Sequence, residues 1–311
     1  MSVREANSKP LQVCHSVPQG SVIGPILFLI LINDISLLGD LVLFLDDTTI
    51  LSGGDTPESA ALQAANIFAR AEDWFSENRL KLNANKTQEM MCTFSRTTGW
   101  GTNTTKLLGF NLDLKLSWNA HIETVCTKLA RVTFLLRKLA LLLAVEHLVT
   151  IYHGLFHSHL SYGLLMWGHA SGCSQVLRLQ KRAVRIISLS RYLDHCKPIF
   201  ARLGILTVYS QYILNSLLYV KSNEHSLPTR ANIHLRSLRG GDTISLPNCR
   251  LGKKRNSFPV LAMKMFNVLP LQVRHLRLEV FKFRVKTWLL RRAFYSLEEF
   301  FSSEFDTILP P

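Results

Sequence analysis

The sequence contains no CxxC pair. Its six cysteines, Cys14, Cys92, Cys126, Cys173, Cys196 and Cys249, are scattered singly, and no secretory signal precedes them. Reduced thiols in an intracellular protein, nuclear or cytoplasmic, are therefore expected. A run long enough to cross a bilayer is also lacking. The most apolar stretch, residues 22–32, stops at Asn33-Asp34, and the leucine-rich stretch over 134–149 is interrupted by Arg137, Lys138 and Glu146. Neither is a transmembrane helix, and no membrane partner is expected. There is no fixed-period repeat and no heptad run of coiled-coil length.

Acidic residues are scarce in the last two thirds. Of 36 Lys and Arg and 22 Asp and Glu, residues 1–100 hold 7 and 11, leaving 29 and 11 for the remainder, so the net charge is −4 and then +18. A basic excess confined to the C-terminal part argues for a polyanionic partner, with nucleic acid ahead of an anionic membrane surface. A basic, merely solvated surface is the alternative. The 311 residues, 47% hydrophobic, suffice for a substantial core and suggest two packed units.

After a polar leader over 1–10, the segment His15 to Pro25 is rich in turn formers and feeds an apolar helix over 26–32. Two runs of β-branched and apolar residues, 42–45 and 48–51, flank Asp46-Asp47 in a hairpin pattern. Apolar residues at near-helical spacing predict a helix over 56–80, capped by Asp55 or Thr56. Short strands are expected over 80–86 and 90–94, and a hairpin edge over 107–113. Beyond Ser117 the pattern turns helical, with segments at 119–143, 145–165, 174–190 and 195–221. A turn-rich basic stretch over 222–257 reads as a linker, followed by helices over 258–268 and 278–296.

The sharpest chemical signal is Asp46-Asp47 between two strands. Adjacent carboxylates at a hairpin tip are hard oxygen ligands suited to Mg²⁺ or Mn²⁺, and paired ions of this kind serve nucleotidyl transfer. Taken alone, the dipeptide is more often a solvated turn. Its surroundings change that weighting. Val17-Pro-Gln-Gly-Ser-Val-Ile-Gly-Pro-Ile-Leu-Phe28, Phe44-Leu-Asp-Asp47, Leu82-Asn-Ala-Asn-Lys-Thr87 and Leu107-Leu-Gly-Phe110 resemble, in order and spacing, successive motifs of the reverse transcriptases of non-LTR, jockey-like retrotransposons. Ser161-Tyr-Gly163, Trp167-Gly168, Leu179-Gln-Lys-Arg-Ala183 and Phe266-Asn-Val-Leu-Pro270 are similar to the later segments of those proteins.

This resemblance implies an α+β fold: an incomplete right-hand polymerase palm over 11–115, then an α-helical thumb over 116–221, the basic linker, and a C-terminal helical extension over 258–311. It also implies an RNA-directed DNA polymerase with an RNA template, a DNA primer and deoxynucleoside triphosphates as partners. Asp46 and Asp47 would be the catalytic metal ligands, and Lys86 would neutralise or protonate the departing pyrophosphate. Pro18, Gln19, Gly20, Phe44 and Leu45 would line the nucleotide and primer end. Gly109 would lie in the primer-gripping hairpin.

Independently of the resemblance, Arg178, Lys181, Arg182 and Arg185 fall at i, i+3, i+4 and i+7. A helix places them on one face, able to track a phosphate backbone, although a solvated amphipathic face is equally consistent. Lys253-Lys-Arg255 offers a second cationic cluster, open to phosphate-contact and nuclear-localisation readings. His153, His157 and His159 have no acidic or cysteine partner at ligand spacing and read as packing and surface residues.

The pattern departs from the family in three places. The only carboxylate before Val17 is Glu5, in a leader without strand pattern, so the family's first metal-binding motif is not found. Leu45 stands where alanine is common, and the 34–42 connection is short. The expectation is an N-terminally truncated fragment, inactive by itself, with exposed apolar surface. A non-catalytic nucleic-acid-binding module and a helical scaffold are the competing readings.

Overall fold

The computed structural model describes residues 2–3, 6–7, 20–93, 103–233, 242–305 and 308. The chain divides into two compact units, Met1–Asn103 and Thr104–Pro311. Residues 101–103 carry no charge, so the first unit keeps the net −4 and the second the +18.

In the first unit, β1 (Ser2–Val3) pairs with β2 (Ala6–Asn7), where the sequence suggested a loose leader. Helix α1 (Gly24–Asn33) carries Pro25 in its first turn and runs into a 3₁₀ turn, Asp34–Leu38. Strands β3 (Leu41–Phe44) and β4 (Asp47–Ile50) then form an antiparallel hairpin, registered Leu41↔Ile50 through Phe44↔Asp47.

Helix α2 (Pro57–Glu77) starts at a reciprocal cap. The Thr56 hydroxyl accepts the Ser59 N–H at 3.2 Å, and the Ser59 hydroxyl accepts the Thr56 N–H at 3.3 Å. The core here is small: Ile32, Ile35 and Ala71, flanked by Phe28, Leu43, Trp74 and others. Helix α1 is apolar all round, a pattern that belongs to a helix buried on every side. Yet Ile26, Leu27, Leu29 and Ile30 lie exposed, so the apolar surface anticipated from the sequence is present.

Of the expected strands, the one over 80–86 does not form, and of the one over 90–94 only Met90 takes part in a β-bridge among the described residues. The Asn83–Lys86 segment instead closes a turn, with the Lys86 N–H donating to the Asn83 carbonyl at 3.0 Å, and the Thr87 hydroxyl donating to the same carbonyl at 3.1 Å. Once that carbonyl serves a turn, it no longer serves a strand ladder. Phe94 lies outside the described residues.

The second unit opens with β5 (Thr104–Leu107) and β6 (Phe110–Asp113), so the division falls before this hairpin. Helices α3 (Asn119–Leu139) and α4 (Val145–Ile151) follow. The latter continues through a π-helical turn, Tyr152–His157, into Ser158–Ser161. Next come a short helix Leu164–Trp167, α5 (Cys173–Ile187), α6 (Cys196–Leu203), α7 (Val208–Ser222), α8 (Phe258–Asn267) and α9 (Leu278–Arg292).

The helices predicted over 145–165 and 195–221 are each broken at a glycine with positive φ, Gly163 at 55° and Gly204 at 66°. The linker over 222–257 is tied down at several points, Arg274 donating to the Asp242 carbonyl at 2.9 Å and Lys264 to the Arg255 carbonyl at 3.0 Å. Ile244, buried, bridges to Thr229, and its backbone N–H and carbonyl both pair with the Asn267 side chain at 2.9 and 2.8 Å.

A continuous core joins α3 to α9 and includes Leu129, Phe156, Trp167, Val184, Tyr212, Phe266 and Phe281. Within it lies a fully buried amide. Gln180 donates to the Tyr152 hydroxyl and to the Leu206 carbonyl, both at 2.8 Å, and accepts the Val208 N–H at 2.8 Å. Desolvation raises the Tyr152 hydroxyl pKa.

The β5–β6 hairpin is docked by aromatic packing. Phe110 stacks on Tyr162 with centroids 5.1 Å apart, and the Tyr162 hydroxyl donates to the Leu108 carbonyl at 2.5 Å. A β-carbon on Gly163 would lie 2.1 Å from the Phe110 ring, so only a bare α-carbon admits that ring. Gly168 plays the same part for Tyr212, whose ring would be 2.4 Å from a β-carbon there. At the other end of the hairpin, the Asp113 carboxylate accepts the N–H groups of Lys115, Ser117 and Trp118 and the Ser117 hydroxyl. Burial alone would raise its pKa, but these bonds outweigh burial and hold it below the ordinary carboxylate value.

Two outcomes are expected. Gly163→Ala combines positive-φ strain with displacement of Phe110 and should cost about 2 kcal/mol or more in urea unfolding. Asp113→Asn should cost about 1–2 kcal/mol at neutral pH. Because the folded-state pKa of Asp113 is depressed, its contribution is present above the ordinary carboxylate pKa and fades as pH falls through the lowered value. The difference in stability between wild type and Asp113→Asn should therefore shrink below about pH 4, as read by unfolding at a series of pH values.

Candidate active-site hairpin and nucleic-acid interface

The β3–β4 register makes Leu45-Asp46 a two-residue turn. Leu45 has φ of 54° while Asp46 does not enter the positive region, so this is not the type I′ turn, which needs both. The first corner of such a turn favours glycine, and a leucine there holds its β-carbon against the next carbonyl. Asp46 therefore sits in the turn itself and Asp47 opens β4, paired with Phe44. Both carboxylates are exposed, as are Phe44 and Leu45.

By donor type this tip fits a hard divalent cation such as Mg²⁺, which takes one or two carboxylates and completes its shell with other oxygens. By number the donor set is limited. Among the described residues no group of three His, Cys, Asp or Glu forms around these carboxylates or elsewhere.

The remaining candidates of the first unit stand on separate loops. Lys86 is exposed in the Asn83–Lys86 turn. Gly20 has φ of 88°, so its glycine is explained by conformation, and among the described residues nothing lies within 4 Å of where a β-carbon would stand. Pro18 and Gln19 lie outside the described residues. The structure thus gathers Phe44, Leu45, Asp46 and Asp47 on one hairpin and leaves Gly20 and Lys86 on loops of their own.

In the second unit Gly109 occupies the β5–β6 turn with φ of 83°, beside Leu108 at 46°, and a β-carbon there would touch Tyr162 at 3.5 Å. The basic row lies on α5, where Val176, Ala183 and Ile187 are fully buried on the opposite side and Leu179 is half-buried. The four cations are not equivalent. Arg178 and Arg182 are exposed.

Lys181 is half-buried, its ammonium 3.5 Å from the centre of the Tyr295 ring, and burial, helped by Arg185 and Lys197, pushes its pKa down. Arg185 is engaged at the Asp194 carbonyl by two N–H bonds of 3.0 and 2.9 Å. Arg178 and Arg182 are thus the two cations of the row open to solvent. His153 and His157 stack edge to face at 5.5 Å, and desolvation, with Lys286 nearby, lowers both, in keeping with packing roles.

Sequence reasoning did not single out Gln180 or Asp113. Gln180 lies inside the quoted Leu179–Ala183 segment, where the alternation of charge drew attention to its neighbours. Asp113 precedes the Ser117-Trp118 turn, and an aspartate ahead of a helix start is a legible capping signal. Leu45→Gly should stabilise the hairpin by up to about 1 kcal/mol through relief of its left-handed strain, whereas Leu45→Val should destabilise it. Thermal unfolding of the two variants checks this.

Residues 2–112 match the family model described as reverse transcriptase (RNA-dependent DNA polymerase). A probable RNA-directed DNA polymerase from transposon X-element of Drosophila melanogaster is 25% identical over 229 residues, covering 67% of this chain and 25% of that protein. The RNA-directed DNA polymerase from mobile element jockey of the same organism is 26% identical over 219 residues, covering 60% and 23%. The chain thus spans about a quarter of the length of these relatives. No solved structure matches it. Over residues 2–112, which include the Asp46–Asp47 hairpin, the chain is similar to reverse transcriptases, and over a longer stretch it is similar to these two transposon polymerases.

Proposed function

We propose that this chain supplies the carboxylate-bearing hairpin and the strand-gripping helices of an RNA-directed DNA polymerase, the first unit as part of a right-hand palm and the second as thumb and C-terminal extension. The observation that carries the reading is the Asp46–Asp47 pair, exposed at the tip of β3–β4 inside the segment that matches the reverse-transcriptase model. In the complete site Asp46 and Asp47 would hold Mg²⁺ or Mn²⁺, which would supply activation of the attacking hydroxyl and neutralisation of the leaving phosphates. Lys86 adds a cation for the departing pyrophosphate. Pro18, Gln19 and Gly20 line the nascent pair, and Phe44 and Leu45 flank the primer end. Gly109, in its docked hairpin, and Arg178 and Arg182, with Lys181 and Arg185 behind them, guide the primer and the RNA template.

With no third carboxylate beside the pair among the described residues, the chain on its own grips nucleic acid without extending a primer. That same observation favours a second reading, a binding module derived from the polymerase, and one experiment addresses both. DNA primer on RNA template is offered with Mg²⁺ and nucleotides to the wild type and to Asp46→Asn/Asp47→Asn. Expected are no extension by either protein and retained hybrid binding that weakens with salt. In Arg178→Glu/Arg182→Glu the slope of log affinity against log salt should fall by about 2, near 0.9 for each phosphate that the protein no longer neutralises. Extension abolished by the aspartate changes would overturn the claim of inactivity. Absence of hybrid binding would overturn the gripping role.

A further inference from the structure

The loop between α5 and α6 breaks the usual rules for surface turns. Helix α5 ends in a Schellman arrangement: the Ser190 N–H donates to the Arg185 carbonyl at 3.0 Å and the Leu189 N–H to the Ile186 carbonyl at 3.2 Å. The left-handed position of that motif normally takes glycine. Here it is Leu189, at φ 53° and 71% exposed, so no burial offsets its strain.

Just beyond, a tight turn closes from Arg191 to Asp194. The Asp194 N–H donates to the Arg191 carbonyl at 3.2 Å, and the Asp194 carboxylate accepts the Arg191 N–H at 2.7 Å. The two corner positions of such a turn favour glycine, proline, asparagine or aspartate. They are Tyr192 and Leu193, 81% and 87% exposed. An aromatic ring and two leucines are thus held out in water on a loop whose backbone is tied down at both turns.

The cations around this loop define what it fits. Arg185, anchored by its two bonds to the Asp194 carbonyl, places its guanidinium over the Tyr192 ring at 5.9 Å and backs one side of it. Arg178 and Arg182 lie exposed on the same helix, and no Asp or Glu occurs between Glu146 and Asp194. An acidic or neutral protein surface would use the leucines and the charge but has no particular need of an exposed aromatic ring backed by a guanidinium. An unpaired nucleotide needs both a phosphate contact and an aromatic plane for its base.

We propose that the Leu189–Leu193 loop is a stacking platform for an unpaired base of single-stranded RNA, with Tyr192 as the plane, Leu189 and Leu193 as its apolar margins, and Arg178 and Arg182 holding the adjoining phosphates. The platform rests on the RNA-directed reading above and adds to it a preference for unpaired over duplex nucleic acid at this end of α5.

The test uses the full chain and a short RNA oligonucleotide carrying 2-aminopurine, titrated as a single strand and as a duplex, with a DNA strand of the same sequence in parallel. Tyr192→Ala should weaken single-stranded RNA binding about tenfold or more and abolish quenching of the fluorescent base, while the salt slope and the duplex affinity stay unchanged. Tyr192→Phe should retain both affinity and quenching, which a loss of fold would not. Equal weakening on duplex and single strand, or unchanged single-strand binding in Tyr192→Ala, would overturn the platform. Tighter Tyr192-dependent binding of the DNA strand would overturn RNA as its occupant. A wild type that binds no nucleic acid would overturn this proposal and the gripping role together, whereas binding sensitive to Arg178 and Arg182 but indifferent to Tyr192 would overturn this one alone.

Discussion

The second unit depends on a single buried amide. Gln180 sits at zero exposure in the middle of α5, and its three bonds reach the π-helical turn at Tyr152 and the joint between α6 and α7 at Leu206 and Val208. A buried amide left unpaired costs about 1–3 kcal/mol, so these bonds fix the rotation of α5 about its own axis. Rotation is what matters for function. With Gln180 inward beside Ala183 and Val184, the neighbouring Arg178 and Arg182 are carried to the surface and the end of α5 is presented to solvent. The basic face and the loop that follows it are consequences of a polar contact in the core.

Backbone strain is distributed just as unevenly. Leu108 and Leu116 also take positive φ, but Leu108 has its carbonyl bound by Tyr162 and Leu116 lies half-buried in the turn that Asp113 holds closed. Leu45 and Leu189 differ, being exposed, so no packing offsets a backbone cost of about 1 kcal/mol each. One adjoins the carboxylate pair and the other opens the loop that carries Tyr192. Uncompensated strain of this kind concentrates where a site needs a side chain or backbone held in a shape that stability alone would not select.

What could be read from the residues alone followed local rules. The β3–β4 hairpin was visible in two short apolar runs around Asp46-Asp47, and α2 in its apolar spacing and a cap at Asp55 or Thr56, because each is decided within a few residues. The longer helical segments were overdrawn because leucine content masked the glycine stops at Gly163 and Gly204, whose necessity is partly tertiary: Gly163 is bare so that Phe110, from a strand far earlier in the chain, can enter. The strand over 80–86 was inferred from composition, but the turn at Asn83 takes the carbonyl that pairing would use. Of the candidate site, the carboxylates were legible from the sequence. The division of the basic row into two open arginines, a lysine lodged against Tyr295 and an arginine bound at Asp194 was not, since those partners lie elsewhere in the sequence or in an irregular loop.

The charge asymmetry then acquires a mechanical sense. Ion pairs that would neutralise the second unit internally are few: among the described residues Lys197 pairs with Glu299 and Lys221 with Glu224, each at 2.7 Å, against a net charge of +18. A surface so unbalanced repels itself and costs folding stability unless a polyanion or its own counterions neutralise it. Binding to a phosphate backbone releases those counterions, so affinity is drawn from the very imbalance that the fold tolerates. The first unit is acidic instead, and two of its carboxylates stand exposed at a hairpin tip, where their oxygens suit a hard divalent cation. On the proposed reading the two units ask for opposite counter-charges, which a nucleic acid accompanied by divalent metal would supply.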